Sequence, residues 1–203
     1  MYPKFEVPGV PPEETWQLFN VSNYGYYLQK VKDLIAGVCP FCKIDPAVNQ
    51  VLFQNQYWLM WANKMSPRSG QDHQFIFPLR RHVQRLSEMT EAEWVGLREI
   101  IFMVEQNFNV RDGALVIRSG DPLKNAKSVP HLHVNYHVPT GKDRVEVTIA
   151  KSEVDLFSKL PVLRVFEKLR LLEEAKNSDP LAQLDVIEKA LIEGKLGDHV
   201  FAG

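Results

Sequence analysis

Ser128-Val129-Pro130-His131-Leu132-His133-Val134-Asn135-Tyr136-His137-Val138-Pro139 carries three of the chain's six histidines. Side chains on a strand alternate between faces, so His131, His133, Asn135 and His137 share one face. Leu132, Val134, Tyr136 and Val138 share the other and are free to bury against a core. At roughly 3.3 Å per residue, the polar row spans about 20 Å of one strand face. Imidazole is the side chain suited to proton transfer and metal ligation near neutral pH. The row is therefore either a chemical site or a polar, solvated strand face that happens to be rich in histidine.

Working outward, strand patterns occupy 50–54 (QVLFQ), 57–62 (YWLMWA), 74–78 (QFIFP), 114–118 (ALVIR) and 144–150 (RVEVTIA), with turn residues between them. The best-marked helix starts at Thr90, where T-E-A-E makes a capping box with Glu93. Trp94, Leu97, Ile101, Val104 and Phe108 continue it as one apolar stripe. An earlier amphipathic stretch, Tyr24, Tyr27, Leu28, Val31, Leu34 and Ile35, is stopped by Gly37. After Ser152 the texture turns helical and charged, with Pro161 and Asp179-Pro180 opening two patterns. These patterns predict an α+β protein: a mostly antiparallel sheet with one long central helix. The expected divisions are an N-terminal arm and helix (1–36), a core (37–152), and a C-terminal helical extension packed on the core (153–203).

The histidine strand resembles the signature of the histidine-triad superfamily, His-apolar-His-apolar-His-apolar-apolar, and Ser128-Val129 before it also fits. CPFCKID (39–45), WAN (61–63) and DHQFIFPLRRHV (72–83) resemble further segments of bacterial members, in order, over roughly 37–140. The resemblance implies a nucleotide-binding core in which His133 is the nucleophile. It would attack the α-phosphorus of a nucleotide to form a nucleotidyl-histidine, which water or another acceptor resolves. Its other ring nitrogen should donate to a backbone carbonyl, fixing the tautomer. His131 would support that geometry, and Ser128 with backbone N–H groups of loop 119–128 would hold the phosphate oxygens. The third triad position departs from the family, because it holds Asn135. An amide donates a hydrogen bond but is no general acid. That departure tilts the resemblance toward branches with Gln there, such as galactose-1-phosphate uridylyltransferase and diadenosine-polyphosphate phosphorylases. His137, one step further on the same face, is either a partial substitute or a strand-end histidine.

Cys39-Pro40-Phe41-Cys42 has the spacing of half a tetrahedral zinc site. A thioredoxin-type dithiol and two unliganded thiols are the alternatives, the first without a convincing βαβ unit behind it. The resemblance supplies His82 and His131 as the other two ligands of a structural zinc, which would anchor one end of the histidine strand. It also places Asn63 against ribose hydroxyls, alongside a nucleotide contact from Ser128, Asn135 and His137; taken alone, Asn63 also reads as a turn residue and Ser128 as an ordinary loop serine. Trp61 and Phe41 can flank a base or simply pack in the core. Arg80 and Arg81 can steer a polyphosphate or form a surface turn, and His73 reads as structural.

A net charge of −1 gives no global reason to expect nucleic acid or an anionic membrane as partner. No apolar run approaches the roughly 20 residues of a membrane span, and the first residues contain no signal-peptide core. The expectation is a cytoplasmic, reducing setting, where Cys39 and Cys42 form no structural disulfide. Two functions are in play. One is a nucleotidyl hydrolase or transferase acting on a dinucleoside polyphosphate or related conjugate. The other is a nucleotide-binding adaptor with vestigial chemistry. Family members are usually dimers built through the central helix and sheet edge, so the resemblance implies a homodimer.

Overall fold

The computed structural model describes residues 7, 9–20, 24–63, 70–122 and 124–150. The C-terminal extension expected over 153–203 lies outside the described residues. Residues Cys39–Ala150 form one compact unit, and the described residues up to Val38 belong to another.

In that earlier unit a short 3-10 turn, Thr15–Asn20, precedes helix α1, Tyr24–Ile35. Gly37 ends α1 where the sequence places the stop. Its φ of +61° belongs to the left-handed region, and Gly37 N–H donates to Leu34 O while Val38 N–H reaches back to Asp33 O at 2.9 Å. That pair of bonds is a Schellman cap, which a Cβ-free residue closes at least cost.

The second unit holds a five-stranded antiparallel sheet, so the protein is α+β. Its strands are β1 (Phe53–Gln54), β2 (Leu59–Ala62), β3 (Gln71–Pro78), β4 (Ala114–Ile117) and β5 (His133–Pro139), in the spatial order β1-β2-β3-β5-β4. The histidine strand β5 is thus flanked by β3 and β4. Helix α2, Glu91–Asn107, opens with the expected capping box. Thr90 Oγ1 accepts from Glu93 N–H and Glu93 Oε2 accepts from Thr90 N–H at 2.8 Å, satisfying two otherwise orphaned donors.

Phe75, Phe77, Val134 and Tyr136 join Leu97, Ile100 and Val104 of α2 in one core. Trp58 and Leu132 belong to the same cluster, and Trp58 Nε1–H also donates to Glu93 O at 2.7 Å. Gly96 permits close docking, because a Cβ there would stand 2.8 Å from Tyr57 Cδ2. The helix stripe differs from the expected one. Glu93, Gly96, Leu97, Ile100 and Val104 face inward, while Trp94 is exposed. Two small or polar residues, Gly96 and Glu93, occupy buried positions that a hydrophobicity pattern assigns to apolar ones.

The strand expected over 144–150 forms no ladder. Asp143 and Val145 pack against Gly70, just before β3, and Thr148 O accepts from Arg118 Nη2 at 2.6 Å, just after β4. The segment therefore touches the start of β3 and the end of β4, strands separated by β5, instead of running along one edge. Alternation marks a residue pattern suited to a strand, but only a free edge in register makes one.

Candidate functional site

β5 brings its polar row together as the alternation requires, and buries it. His131, His133, Asn135 and His137 are each at most 9% exposed, as buried as Leu132, Val134, Tyr136 and Val138. The solvated-face reading is therefore excluded, and each polar atom needs a partner. Cross-strand pairing puts Pro78 opposite His133, Ile76 opposite Asn135 and Gln74 opposite His137. Directly paired residues share a sheet face. Trp61 pairs with Ile76, and Val116 of β4 pairs with Asn135, so both lie on this face as well.

His133 Nδ1–H donates to His131 O at 2.8 Å. With Nδ1 so committed, the other nitrogen, Nε2, carries the lone pair. Burial pushes His133 down to about 3, against the opposing effect of that hydrogen bond, and the nearby charges of Lys127 and Arg118 push the same way as burial. The ring is therefore neutral throughout the physiological range. Phe41 packs edge-on over it, at 5.0 Å between ring centroids, and also touches Trp61 and His131.

At the start of the strand, Cys39, Cys42, His82 and His131 converge, with one candidate ligand atom from each lying within 4.8 Å of all the others. Cys42 N–H and Lys43 N–H both donate to Cys39 O, so the C-x-x-C pair sits on a tight turn with both sulfurs free of a disulfide. Cys39 Sγ lies 3.4 Å from His131 Nδ1, Cys42 Sγ 3.1 Å from His82 Nδ1, and the two Nδ1 atoms are 3.2 Å apart. Bond lengths of about 2.3 Å to sulfur and 2.0 Å to nitrogen give a tetrahedron with edges of about 3.3–3.8 Å. The quoted separations, 3.1–3.4 Å, lie at or a little below the short end of that range, so the four residues are gathered closely enough to hold a metal ion of tetrahedral preference. His131 Nε2–H donates to Leu79 O at 2.6 Å, which leaves Nδ1 as the ligating atom. Burial and the neighbouring Cys39 push the Cys42 thiol up to about 11, and burial pushes His131 down to about 4. A neutral imidazole is the form that ligates; a thiol needs a cation to draw off its proton.

Ser128 precedes β5 at the end of loop 119–128. The loop is tied to the segment after β3, where Gly120 N–H donates to Gln84 O, and is braced within by Asn125 Nδ2–H donating to Ser119 O at 2.9 Å; Ala126 takes a φ of +54°. Asn63 follows β2, and its N–H donates to Gln74 O at 2.8 Å, continuing the pairing onto the His133 face. Arg80 and Arg81 are committed elsewhere. Arg81 grips Glu93 with two bonds of 3.0 Å, and Arg80 bonds Asn55 O and Gln54 Oε1. His73 stacks on Phe75 at 5.3 Å.

Three residues absent from the sequence reading enter the site. Gln74 Nε2–H donates to Asn135 Oδ1 at 3.2 Å, and Gln71 Oε1 accepts from His137 Nδ1–H at 3.1 Å. Lys127 is buried, with Nζ donating to Gln84 O and Arg118 O at 3.3 and 3.4 Å. The signal for Gln74 was its two-residue spacing from Ile76 and Pro78, but the face it shares follows only from the register. A lysine in a polar loop gives no sign of burial.

No protein-family model matches the chain, and no curated protein matches it in sequence. Among solved structures it is similar to histidine-triad proteins. One, from Clostridium difficile, is 16% identical over 53% of this chain and 96% of that one, with a TM-score of 0.42. A diadenosine triphosphate hydrolase from Plasmodium falciparum is 14% identical over 62% and 79%, at 0.37. A histidine triad nucleotide-binding protein from Candida albicans is 12% identical over 66% and 99%, at 0.43. At such identities and scores, what this protein does rests on its own residues.

Proposed function

We propose that the protein is a nucleotidyl hydrolase or transferase working through a nucleotidyl-histidine on His133, with a dinucleoside polyphosphate or related nucleotide conjugate as substrate. The observation that carries this reading is the His133 ring, buried, neutral and oriented by His131 O. Its Nε2 lone pair attacks the α-phosphorus, an N–P bond forms, and the P–O bond to the leaving polyphosphate breaks. Water or a phosphate acceptor then attacks phosphorus and returns the electron pair to Nε2. Ser128 and the backbone N–H groups of loop 119–128 hold the phosphate oxygens, and Asn63 meets the ribose. Asn135 and His137 lie on the leaving-group side. Asn135 has no proton to give, which suits a leaving group that departs as a stable anion.

Cys39, Cys42, His82 and His131 bind a structural zinc in this reading. A bound zinc would supply charge to hold two thiolates, and the four residues would fix the carbonyl that orients His133. The exposed apolar strip of Trp94 and Phe102 on α2 with Leu115 on β4 supports a homodimer. No described helix is long and apolar enough to cross a membrane, and a thiol-rich metal site suits the reducing cytoplasm.

The test is acid quench of the protein with α-labelled dinucleoside polyphosphate, followed by mapping of the label. Label on His133, lost in His133→Ala, supports the enzyme. The buried Asn135 at the third triad position favours the adaptor reading to one extent only: nucleotide binding without label would establish it. Metal analysis should find about one zinc per chain, lost in Cys39→Ser with a fall in Tm. A metal-free, freshly reduced protein would return the pair to free thiols, and a reversible Cys39–Cys42 disulfide would return it to redox chemistry.

A further inference from the structure

Asn135 is the residue whose chemistry departs most from a triad, and an amide has two unlike ends. Its Nδ2 donates and its Oδ1 accepts, so its effect on an anion depends on which end faces it. The side chains directly opposite Asn135, those of Ile76 and Val116, offer neither donor nor acceptor. The diagonal neighbour Gln74 does. Diagonal pairs across a sheet are 7–8 Å apart at Cα, within reach of a long side chain. Gln74 Nε2–H spans that gap to donate to Asn135 Oδ1. Gln74 is fixed in turn by β3, where its backbone carbonyl holds Asn63 N–H.

We propose that Gln74 is a positioning residue that locks the Asn135 amide with Nδ2–H2 turned toward the substrate. Held this way, Asn135 offers donors to an acceptor-rich, anionic leaving group such as a polyphosphate. Turned over, it would present a carbonyl oxygen to phosphate oxygens and repel them. The third triad position thus becomes a polarity filter set from the neighbouring strand. This inference rests on the nucleotidyl-histidine reading and names the determinant of its leaving-group preference.

A double-mutant cycle tests it, using native protein, Gln74→Met, Asn135→Ala and the double variant. Met keeps the length of Gln and neither donates nor accepts a conventional hydrogen bond. The quantity measured is kcat/KM for a dinucleoside polyphosphate divided by that for a nucleoside phosphoramidate. In Gln74→Met the ratio should fall about tenfold, as expected for one hydrogen bond to a charged group. In the Asn135→Ala background Gln74→Met should change it no further. An equal fall in both backgrounds, or none in either, overturns the inference. Labelled adduct on His133 in all four proteins, with an unchanged ratio, overturns the role of Gln74 alone. Absence of adduct in the native protein overturns the enzymatic reading and this inference with it. A readout independent of turnover uses inorganic pyrophosphate as the probe. The Asn135 side-chain amide protons should shift in the NMR spectrum of native protein. They should stay unmoved in Gln74→Glu, whose acceptor-only carboxylate draws Nδ2 to itself. Unmoved signals in native protein would overturn the proposal even if the variants fail to fold.

Discussion

The two faces of β5 and of the two residues that lead into it are equally buried and differ completely in what burial does to them. Leu132, Val134, Tyr136 and Val138 meet α2 and the core. Each removes apolar surface from water at about 25 cal/mol per Å². His131, His133, Asn135 and His137 are buried to the same degree, and their hydrogen bonds offset a desolvation cost. Every one has a named partner: Leu79 O, His131 O, Gln74 and Gln71. Burial alone therefore does not separate core from site. The separation lies in whether polar atoms are held in a fixed orientation, and one strand does both at once.

Substitutions on the two faces should break that symmetry. The largest effect is expected at His133: His133→Ala should lower turnover by about 10⁴-fold or more while nucleotide binding changes far less. Single-turnover kinetics with contaminating phosphatases excluded is the check, and substantial residual turnover would remove His133 as nucleophile. Next, Asn135→His places a group able to protonate a poor leaving group. It should raise kcat/KM for phosphoramidates by up to about 10²–10⁴-fold if the imidazole is well placed. Native protein that already cleaves phosphoramidates as readily as polyphosphates would show that Asn135 does not limit proton delivery. On the opposite face, Leu132→Ala should cost about 2–5 kcal/mol of stability by opening a cavity. Denaturant unfolding measures it, and a loss below about 1 kcal/mol would mean the face is loosely packed.

The smallest effect is expected in the response to pH. Burial holds Lys127 down to about 8 from its usual 10.5, with Arg118 adding to the shift and Asp121 and Glu88 opposing it. A base with a depressed folded pKa is a destabilising charge below that value. The unfolded chain then binds more protons than the folded one between about 8 and 10.5, so this residue makes stability rise with pH there. Cys42 and Tyr136, raised to about 11 and 12, act in the opposite sense. The difference in unfolding free energy between native and Lys127→Met isolates the lysine. That difference should narrow from pH 8 to 10.5, and a pH-independent difference would show that folding does not lower the Lys127 pKa, the ammonium staying charged as it does in the unfolded chain.

Much of the candidate site's layout is legible because its spacing is covalent. Cys39 and Cys42 lie on one turn, and His131, His133, Asn135 and His137 on one face, by the geometry of the chain itself. The helix cap at Thr90 and the stop at Gly37 are equally local, which is why both appear where the sequence puts them. Meeting of Cys39 and Cys42 with His82 and His131 spans up to 92 residues, and the motif order carried it only as a resemblance.

Periodicity is legible before any fold exists: which residues alternate, which are capped, and that imidazoles line one strand. Which polar atoms face one another across strands is fixed by packing alone. The pairing of Gln74 with Asn135, the burial of Lys127, the commitment of Arg81 to Glu93 and the missing ladder at 144–150 all depend on register and packing. These are sums over distant segments, where a shift of one residue exchanges the two faces of a strand. No local pattern contains that choice, because the energy that fixes it belongs to contacts that exist only after the chain has closed on itself.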